Sequence, residues 1–222
     1  MKNKKLIIFG TGSFAQVAYY YFQFDSQYQV VGFTANKDHI EQRELLGLPV
    51  FDYETIHETH PPDEYYLYLA VAYIKLNKIR KELYFDAKSK GYKLATYIDS
   101  RIRIWDNNKI GDNTFIFEDN TIQPFVEIGN NIVLWSGNHI GHHSKIGDHC
   151  FLTSHVVISG FVNIGESCFF GVNATVRDSI NIAEECIIGA GTLILKPTQP
   201  KEVYIGKRTE AIPKESSEIK RF

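Results

Sequence analysis

The stretch from Ile128 to Ile146 reads IGNNIVLWSGNHIGHHSKI and places an apolar residue at every sixth position. The same spacing continues in both directions, so that every sixth residue from Ile98 to Ile194 is apolar. A period of six matches neither an amphipathic helix nor an isolated strand, whose periods are about 3.6 and 2. It is typical of a parallel β-helix, in which each six-residue unit forms one flat side of a coil.

Glycines and cysteines follow the same register. Three sides make one coil of 18 residues, and Cys150, Cys168 and Cys186 are spaced 18 and 18 apart. We therefore predict one inward-facing column of buried thiols, rather than a disulfide or a metal site. Glycine follows the apolar residue at seven corners, which we attribute to the tight turns there. These are Gly111, Gly129, Gly141, Gly147, Gly165, Gly171 and Gly189.

Composition limits the possible partners and the compartment. The formal net charge is −2, which gives no general attraction to nucleic acid or anionic membranes. The apolar run Leu6–Phe9 is too short for a signal peptide or a membrane span. We expect a cytoplasmic protein that neither binds nucleic acid nor inserts into a membrane.

Residues 1–97 follow a different pattern. A strand at Leu6–Phe9 leads into Gly10-Thr11-Gly12-Ser13-Phe14-Ala15 and then into a helix. The alternation of apolar runs and amphipathic segments predicts a small Rossmann-like α/β domain with a parallel sheet. The further expected elements are strands Gln29–Phe33, Tyr66–Val71 and Leu94–Tyr97 and a helix Lys75–Lys90.

The glycine turn indicates a phosphate site at the start of a helix. The second strand runs into Thr34-Ala35-Asn36 without the acidic residue that a dinucleotide site needs, so we predict a mononucleotide or nucleotide-sugar site. Asn77 and Arg80 either hold a diphosphate or form a solvated helix face, and a purely structural domain is the remaining alternative. The candidate binding residues are Gly10, Gly12, Ser13, Phe14, Asn36, Tyr73, Asn77 and Arg80.

Five of the eight histidines fall within 17 residues: His139, His142, His143, His149 and His155. His143, His149 and His155 occupy the same position on successive sides, so they cannot converge within one subunit. Two functional uses remain open for the group, beside the structural alternative that histidines such as His149 and His139 are only corner residues. One histidine can act as the general base of acyl transfer from a thioester, or several can bind Zn²⁺ between subunits.

The motif Ile140-Gly141-His142-His143-Ser144-Lys145-Ile146, behind a short βαβ domain, resembles the NeuD/PglD-like bacterial sugar O- and N-acyltransferases. The resemblance implies a left-handed β-helix, acetyl-CoA as co-substrate, a homotrimer and no metal. It places the catalytic base at His142. The acidic residue that follows this base in the family is replaced by His143, which we include as a second catalytic candidate. We expect a distant Asp or Glu, or a backbone carbonyl, to orient His142.

The same resemblance implies the coenzyme site. Segments around Gly160, Val172 and Ala190 match those whose amides hold the pantetheine arm, and Lys207 and Arg208 would meet the phosphates. His155 would contact the acceptor or the coenzyme. Carbonic anhydrases of this fold separate one zinc histidine from a close pair by about 36 residues, and no two histidines here have that spacing.

The expected organisation is a nucleotide-sugar-binding domain at 1–97, an acyltransferase β-helix at 98–199 and a tail at 200–222. The expected activity is acetyl-CoA-dependent N-acetylation of a UDP-, dTDP- or GDP-linked amino sugar, of the 4-amino-4,6-dideoxy type, for bacterial surface glycans. The alternatives are O-acetylation of a sialic-acid-type sugar and a non-catalytic β-helix scaffold.

Overall fold

The computed structural model describes residues 2–207 and 209–218. The N-terminal domain has a six-stranded sheet in the order β3-β4-β2-β1-β5-β6, parallel except for the β3–β4 hairpin. Its strands are β1 (Lys4–Phe9), β2 (Tyr28–Ala35), β3 (Glu44–Leu45), β4 (Leu48–Asp52), β5 (Tyr65–Leu69) and β6 (Lys93–Leu94). Its helices are α1 (Ser13–Phe24), α2 (Ile56–Thr59) and α3 (Lys78–Ser89), with a 3₁₀ turn at Lys37–His39.

The expected Rossmann-like sheet is confirmed. The helix expected at Lys75–Lys90 begins only at Lys78, because Lys75, Leu76 and Asn77 have positive φ, and the short helix α2 was not expected. The strands differ from expectation in two ways. The hairpin β3–β4 was not anticipated, because Glu44–Leu45 is too short to show a strand pattern. The strand expected at Leu94–Tyr97 is divided between two sheets. Leu94 completes the N-terminal sheet, whereas Tyr97 pairs with Phe115 in the first coil of the β-helix.

Two-residue strands then form the three sides of a left-handed parallel β-helix, as the sixfold period predicts. The docked side faces the N-terminal domain and contains β7 (Tyr97–Ile98), β9 (Phe115–Ile116), β12 (Val133–Leu134), β15 (Phe151–Leu152), β18 (Phe169–Phe170), β21 (Ile187–Ile188) and β23 (Val203–Tyr204). The open side contains β10 (Thr121–Ile122), β13 (His139–Ile140), β16 (Val157–Ile158), β19 (Thr175–Val176) and β22 (Leu193–Ile194). The charged side contains β8 (Lys109–Ile110), β11 (Glu127–Ile128), β14 (Lys145–Ile146), β17 (Asn163–Ile164) and β20 (Asn181–Ile182).

Strand β23 lies in the segment 200–222, so part of the expected tail continues the docked side. A second 3₁₀ turn spans Ser216–Glu218. Within residues 2–207 and 209–218, no helix has the length and hydrophobicity needed to cross a bilayer.

Three rows of corners join the sides, and each row has its own surroundings. The histidine corner links the open to the charged side and contains residues 123–126, 141–144, 159–162 and 177–180. The α3 corner links the charged to the docked side and contains residues 111–114, 129–132, 147–150, 165–168 and 183–186. The cavity corner links the docked to the open side and contains residues 117–120, 135–138, 153–156, 171–174 and 189–192.

The column of thiols is confirmed. Cys150, Cys168 and Cys186 are free and fully buried in the coil interior. The Cys168 amide donates to Cys150 Sγ at 3.3 Å, and the Cys168 thiol donates to the Ala183 carbonyl at 3.1 Å. Hydrogen bonding with Cys150, together with burial, raises the pKa of Cys168. These thiols are therefore packing residues and not nucleophiles.

The corner glycines are required for a different reason from the expected one. At Gly141 the backbone φ is not positive, and the positive-φ position at this corner belongs to His143. A Cβ on Gly141 would instead lie 2.5 Å from the Gly160 amide nitrogen of the next coil. Glycine is needed because successive turns stack too closely for a side chain.

The two domains share one aromatic core. Phe22 of α1 is fully buried and packs 5.5 Å from the ring of Phe115 on the docked side. Tyr21 contacts Phe117 and donates a 2.7 Å hydrogen bond to Glu118. Burial of one such aromatic side chain contributes about 2 kcal/mol, so the aromatic core fixes α1 firmly against the β-helix.

Candidate functional site

A cavity of about 570 Å³, here called the nucleotide cavity, opens at the carboxyl ends of β1, β2 and β5. Gly10 and Thr11 follow β1, Asn36 follows β2, and Val71 lies just beyond β5. Ligands of open α/β sheets bind at this edge, beside the strand where the connections diverge. Its other lining residues are Phe9, Ala35, His39, Tyr53, Glu54, Ile79, Glu82, Leu83, Asp86 and Lys90.

The turn that leads into α1 borders this cavity through Gly10 and Thr11 and has the features of an anion-binding turn. Gly10 has φ +116°, and a Cβ there would lie 2.9 Å from the Ala70 carbonyl oxygen, so only glycine fits. Gly12 begins the helix without a side-chain cap, and the first turn carries no acidic residue. The first amides of a helix have no intrahelical acceptor, and they favour negative charge.

Asn36 adds a hydrogen-bonding group that the protein itself does not satisfy. Its Oδ1 atom is buried and has no partner among the described residues, although the side chain lines the nucleotide cavity. A buried acceptor without a donor is unfavourable by about 1–3 kcal/mol. An N–H or O–H group of a bound ligand would remove that penalty.

A second cavity, of about 310 Å³ and here called the acceptor cavity, lies on the other flank of the same turn. Ser13 and Phe14 of α1 and Tyr73 of the loop before α3 line it, as does Trp135 of the cavity corner. The structure thus distributes the predicted nucleotide-sugar residues over two cavities. Gly10 and Asn36 belong to the first, and Ser13, Phe14 and Tyr73 to the second. The remaining lining residues are Val17, Ala72, Phe151, Thr153 and Ser154.

The structure places Arg80 and Asn77 neither in a diphosphate site nor on a solvated helix face. Arg80 is fully buried at the α3 corner, and neither residue lines a cavity among those described. Burial lowers the pKa of Arg80 to about 10, which leaves it cationic at neutral pH. Its guanidinium donates to Asn131 Oδ1 and to the carbonyls of Val71, Asn131, His149 and Cys150, at 3.0–3.3 Å.

Asn77 fixes the preceding loop to the β-helix. Its Nδ2 donates to the Cys168 carbonyl at 3.3 Å. Lys75, Leu76 and Asn77 all have positive φ, an arrangement that persists only where tertiary contacts support it. Asn77 and Arg80 therefore dock the domain instead of holding a diphosphate, and this docking fixes the loop that carries Tyr73.

His149 belongs to the same docking region. It is buried, its Nδ1 lies 2.9 Å from Asn131 Nδ2, and its ring contacts Tyr84 and Phe85 of α3. Burial lowers the pKa of His149 to about 4, so the ring is neutral in the folded protein. Its role is structural.

The exposed pair at the histidine corner, His142 and His143, has a defined geometry. The His142 amide donates to Gln123 Oε1 at 2.8 Å, and the Nδ1 atoms of the two imidazoles lie 3.1 Å apart. The His143 ring is stacked between Phe125 and Phe161, at centroid distances of 4.5 and 4.8 Å. The His142 imidazole thus contacts the His143 imidazole, and the His143 imidazole is packed between the two phenylalanine rings.

Gly160 lies beneath the His142 ring. A Cβ at this position would lie 2.9 Å from Cε1 and 3.0 Å from Nε2 of His142. The Gly160 carbonyl accepts from Ser179, whereas its amide has no backbone acceptor within the described part of the chain. Gly160 therefore contacts the His142 imidazole and carries an N–H without a backbone acceptor among the described residues.

The other predicted coenzyme residues lie at a different corner. Val172 and Ala190 are exposed at the cavity corner, and Lys207 is exposed just after β23, next to them. His155 belongs to this corner too, with its ring over Gly137. Ser136 at the cavity corner and His142 at the histidine corner are six positions apart on the same coil, which corresponds to roughly 20 Å of extended chain. One subunit therefore does not bring these groups together with His142 and Gly160.

Some relevant groups escaped sequence reasoning, and Arg208 cannot be placed. Trp135 and Ser154 line the acceptor cavity and Gln123 accepts from the His142 amide, but each occupies an ordinary corner position of the repeat. The one signal in the sequence was the position of Trp135, which directly follows strand β12 of the docked side. Arg208 lies outside the described residues. Across the described residues, no group of three or more His, Cys, Asp or Glu side chains is arranged to hold a metal ion.

Comparisons with known proteins agree with this architecture. A family model described as the hexapeptide repeat of succinyl-transferase matches residues 161–196. No curated protein sequence matches the chain significantly. The acetyltransferase domain of PglB from Neisseria gonorrhoeae FA1090 superposes with a TM-score of 0.80 at 19% identity, over 92% of this chain and 97% of that one.

Two further solved structures share both domains. A histidine-to-asparagine variant of perosamine N-acetyltransferase from Caulobacter crescentus, in complex with CoA and GDP-perosamine, has a TM-score of 0.81 at 22% identity, over 91% of this chain and 93% of that one. WeeI from Acinetobacter baumannii AYE has a TM-score of 0.77 at 19% identity, over 91% and 97%.

The chain is thus a left-handed β-helix protein of the hexapeptide-repeat type. Its fold, with a Rossmann-like domain docked on the β-helix, is shared with the acetyltransferase domain of PglB and with perosamine N-acetyltransferase.

Proposed function

We propose that the protein is an acetyl-CoA-dependent N-acetyltransferase that acts on a nucleotide-linked amino sugar. The observation that carries the proposal is the position of the α1 N-terminus between the nucleotide cavity and the acceptor cavity. A nucleoside would occupy the first cavity and its diphosphate would meet the Gly10–Ser13 turn. The sugar would then enter the acceptor cavity, against the β-helix.

The residues present fit such an acceptor. Asn36 offers an unsatisfied acceptor to the nucleoside, and the first amides of α1 offer donors to the diphosphate. Trp135 and Tyr73 provide the aromatic surface that sugar rings commonly pack on, and Ser154 adds a hydroxyl. The GDP-perosamine complex of the structural neighbour supports testing GDP first among GDP, UDP and dTDP.

We further propose that the active site is completed in a homotrimer. His142 and Gly160 are separated from the cavity corner by the open side, so a neighbouring subunit has to supply one half. The open side and its flanking corners also expose apolar side chains that an interface would cover. These are Val157, Phe161, Val172, Leu193 and Leu195.

In the proposed mechanism His142 Nε2 removes a proton from the sugar amine as the amine attacks the acetyl carbonyl. The Gly160 N–H is the candidate donor to the oxyanion that develops on that carbonyl. Exposed Val172, Ala190 and Lys207 would contact the coenzyme and His155 the acceptor or the coenzyme. A covalent acyl-cysteine is not part of this mechanism, because all three thiols are buried.

The alternatives make different use of the two cavities. A sialic-acid-type O-acetyltransferase would take an acceptor without a nucleotide and would leave the nucleotide cavity unused. A non-catalytic scaffold would need neither cavity. We place the enzyme in the cytoplasm, in the biosynthesis of bacterial surface glycans of the 4-amino-4,6-dideoxy-sugar type.

Gly12 offers a sharp test of the binding half of this proposal. A Cβ added at this position meets no atom within 4 Å, so the backbone site has room for both Gly12→Asp and Gly12→Ser. Both are good helix caps, but only Asp places a negative charge at the anion site. We expect Gly12→Asp to raise KM for the nucleotide sugar at least tenfold at unchanged Tm, with Gly12→Ser close to wild type. Equal KM values for the two variants would contradict a diphosphate at this turn.

A further inference from the structure

We propose that His143 is the positioning residue of the base, so that an imidazole–imidazole pair replaces the histidine–carboxylate pair expected from the family. The inference rests on the proposed acetyl transfer at His142. It answers the question that the sequence left open, namely which group orients His142 when its neighbour is not acidic.

The distance between the two rings defines their protonation. The Nδ1 atoms of His142 and His143 are 3.1 Å apart, which is a hydrogen-bond distance, and one of the two must carry the proton. If Nε2 of His142 is to act as the base, its proton must reside on Nδ1. His143 then accepts through an unprotonated Nδ1 and carries its own proton on Nε2.

No acidic side chain competes for this role within the described part of the chain. Neither imidazole takes part in an ion pair there. The carboxylate of Glu127 on the adjoining charged side interacts with Lys109 and Lys145 instead. The expected distant Asp or Glu is therefore absent from the contacts of His142, and the sequence neighbour takes its place.

Stacking holds His143 in the accepting orientation. Phe125, His143 and Phe161 lie on successive coils with φ values of 65°, 60° and 59° and form one continuous stack. The interplanar angles of 22° and 17° keep the His143 ring parallel to both neighbours, while His142 meets Phe161 edge-on. The two aromatic rings thus fix the orientation of the His143 ring, just as a hydrogen bond from another residue usually fixes the orientation of a catalytic carboxylate.

The pair gives a balanced reaction. As the sugar nitrogen bonds to the acetyl carbon, His142 Nε2 takes the proton from that nitrogen. The resulting imidazolium strengthens its Nδ1–H hydrogen bond to His143, which becomes charge-assisted. When the carbon–sulfur bond breaks, His142 returns the proton to the departing sulfur, giving the amide and free CoA. His143 keeps the same proton throughout.

Three substitutions of His143 distinguish a role in positioning His142 from a role in packing alone. Gly and Asp both tolerate the positive φ at position 143, and Phe already occupies the equivalent positions 125 and 161. His143→Gly removes the ring and the acceptor, His143→Phe keeps the stack without an acceptor, and His143→Asp restores an acceptor without the ring. In steady-state assays we expect the Gly and Phe variants to lose at least tenfold in kcat with KM changed less than twofold.

Retention of kcat in His143→Asp is the outcome that a purely structural role of the His143 ring cannot produce. We expect His143→Asp to keep kcat within about threefold of wild type. A kcat for His143→Phe within twofold of wild type would overturn the proposal, as would an Asp variant as impaired as the Gly variant.

A second readout does not depend on the substrate. Nitrogen-15 NMR of histidine-labelled wild-type protein should show His142 protonated at Nδ1 and His143 at Nε2 in their neutral forms. The opposite tautomers would contradict the pair. Absence of turnover with every amino-sugar nucleotide, together with the expected tautomers, would instead contradict the proposed function alone.

Discussion

The β-helix and the N-terminal domain hold their functional groups in opposite ways. In the β-helix each coil hydrogen-bonds to the next through a regular ladder, for example from the Gly141 amide to the Ile158 carbonyl at 2.8 Å. His142 therefore stands on a rigid repeated support. In the N-terminal domain, the loop that carries Tyr73 is irregular and has three consecutive residues with positive φ. Its position depends on a few contacts to the β-helix, chiefly those of Arg80 and Asn77.

Because of this difference, we expect the β-helix to determine the rate of acetyl transfer and the docked N-terminal loop to determine the placement of the acceptor. Changes at the histidine corner should alter turnover without altering stability, because the ladder supports that corner. Changes at the docking contacts should alter stability and acceptor binding together.

Replacing His142 should have the largest effect. We expect His142→Ala to lower kcat about 10²–10⁴-fold, the usual contribution of a positioned general base, with KM for the nucleotide sugar and Tm nearly unchanged. His57→Ala, an exposed histidine on α2, is the matched control and should match wild type. More than a tenth of wild-type turnover in His142→Ala would exclude this residue as the base.

Arg80→Met should have the largest effect on stability. The substitution leaves the carbonyls of Asn131 and His149 without a donor in a buried site, and leaves the Cys150 carbonyl with only the Val133 amide. We expect the free energy of unfolding to fall by about 3 kcal/mol or more, measured by urea denaturation. Lys81→Ala removes a neighbouring exposed ion pair with Glu166 and should change the free energy of unfolding by less than about 1 kcal/mol. Equal effects of the two would show that Arg80 does not dock the domains.

Gly160→Ala should disturb the base without touching the N-terminal domain. The added Cβ would lie 2.9 Å from His142 Cε1, so the imidazole has to move. A displacement of this kind lowers kcat by roughly 10–100-fold, with KM for the nucleotide sugar preserved. Wild-type kcat in this variant would show that the position of His142 above Gly160 is not the reactive one.

His149 should make stability depend on pH at the docking region. Burial lowers the pKa of His149 to about 4, below the value of 6.5 expected for the unfolded chain. Between these pH values the unfolded chain binds a proton that the folded protein does not, so stability falls as pH falls. His149→Asn keeps a residue suited to positive φ and should flatten the change in Tm between pH 7 and 5. An unaltered pH profile in the variant would assign the dependence to other groups.

The smallest effect is expected inside the coil. Cys150→Ala removes one buried sulfur and should lower the free energy of unfolding by about 1–2 kcal/mol, without changing kcat. Thermal melts and steady-state assays of the same preparation measure both quantities. Complete loss of activity in a folded Cys150→Ala protein would reopen a role for the thiol.

The same contrast explains what the sequence could reveal. The β-helix was predictable because each coil repeats the same contacts, so Ile128, Ile146 and the cysteine column fix the register directly. The glycine turn at Gly10 was also predictable, since a tight turn before a helix needs specific residues. Such local rules do not depend on distant partners.

Docking contacts have no local signature. Arg80 looks like a residue on a solvated helix face, because four of its five acceptors lie more than 50 positions away in sequence. Asn77 is similar, since its partner carbonyl belongs to Cys168. The orienting role that we propose for His143 was missed for a different reason. Phe125, His143 and Phe161 are 18 residues apart, so the register does place them in one column, but it does not show that the His143 ring stacks between the two others with its Nδ1 atom toward His142.

The most direct test of the central claim is a thiol-release assay with acetyl-CoA and a panel of nucleotide-linked 3-amino and 4-amino sugars, with free sialic acid as comparison. We predict release of CoA that depends on an amino-sugar nucleotide, that is absent with sialic acid, and that is lost in His142→Ala. Release with sialic acid but with no member of the nucleotide-linked panel would contradict the account.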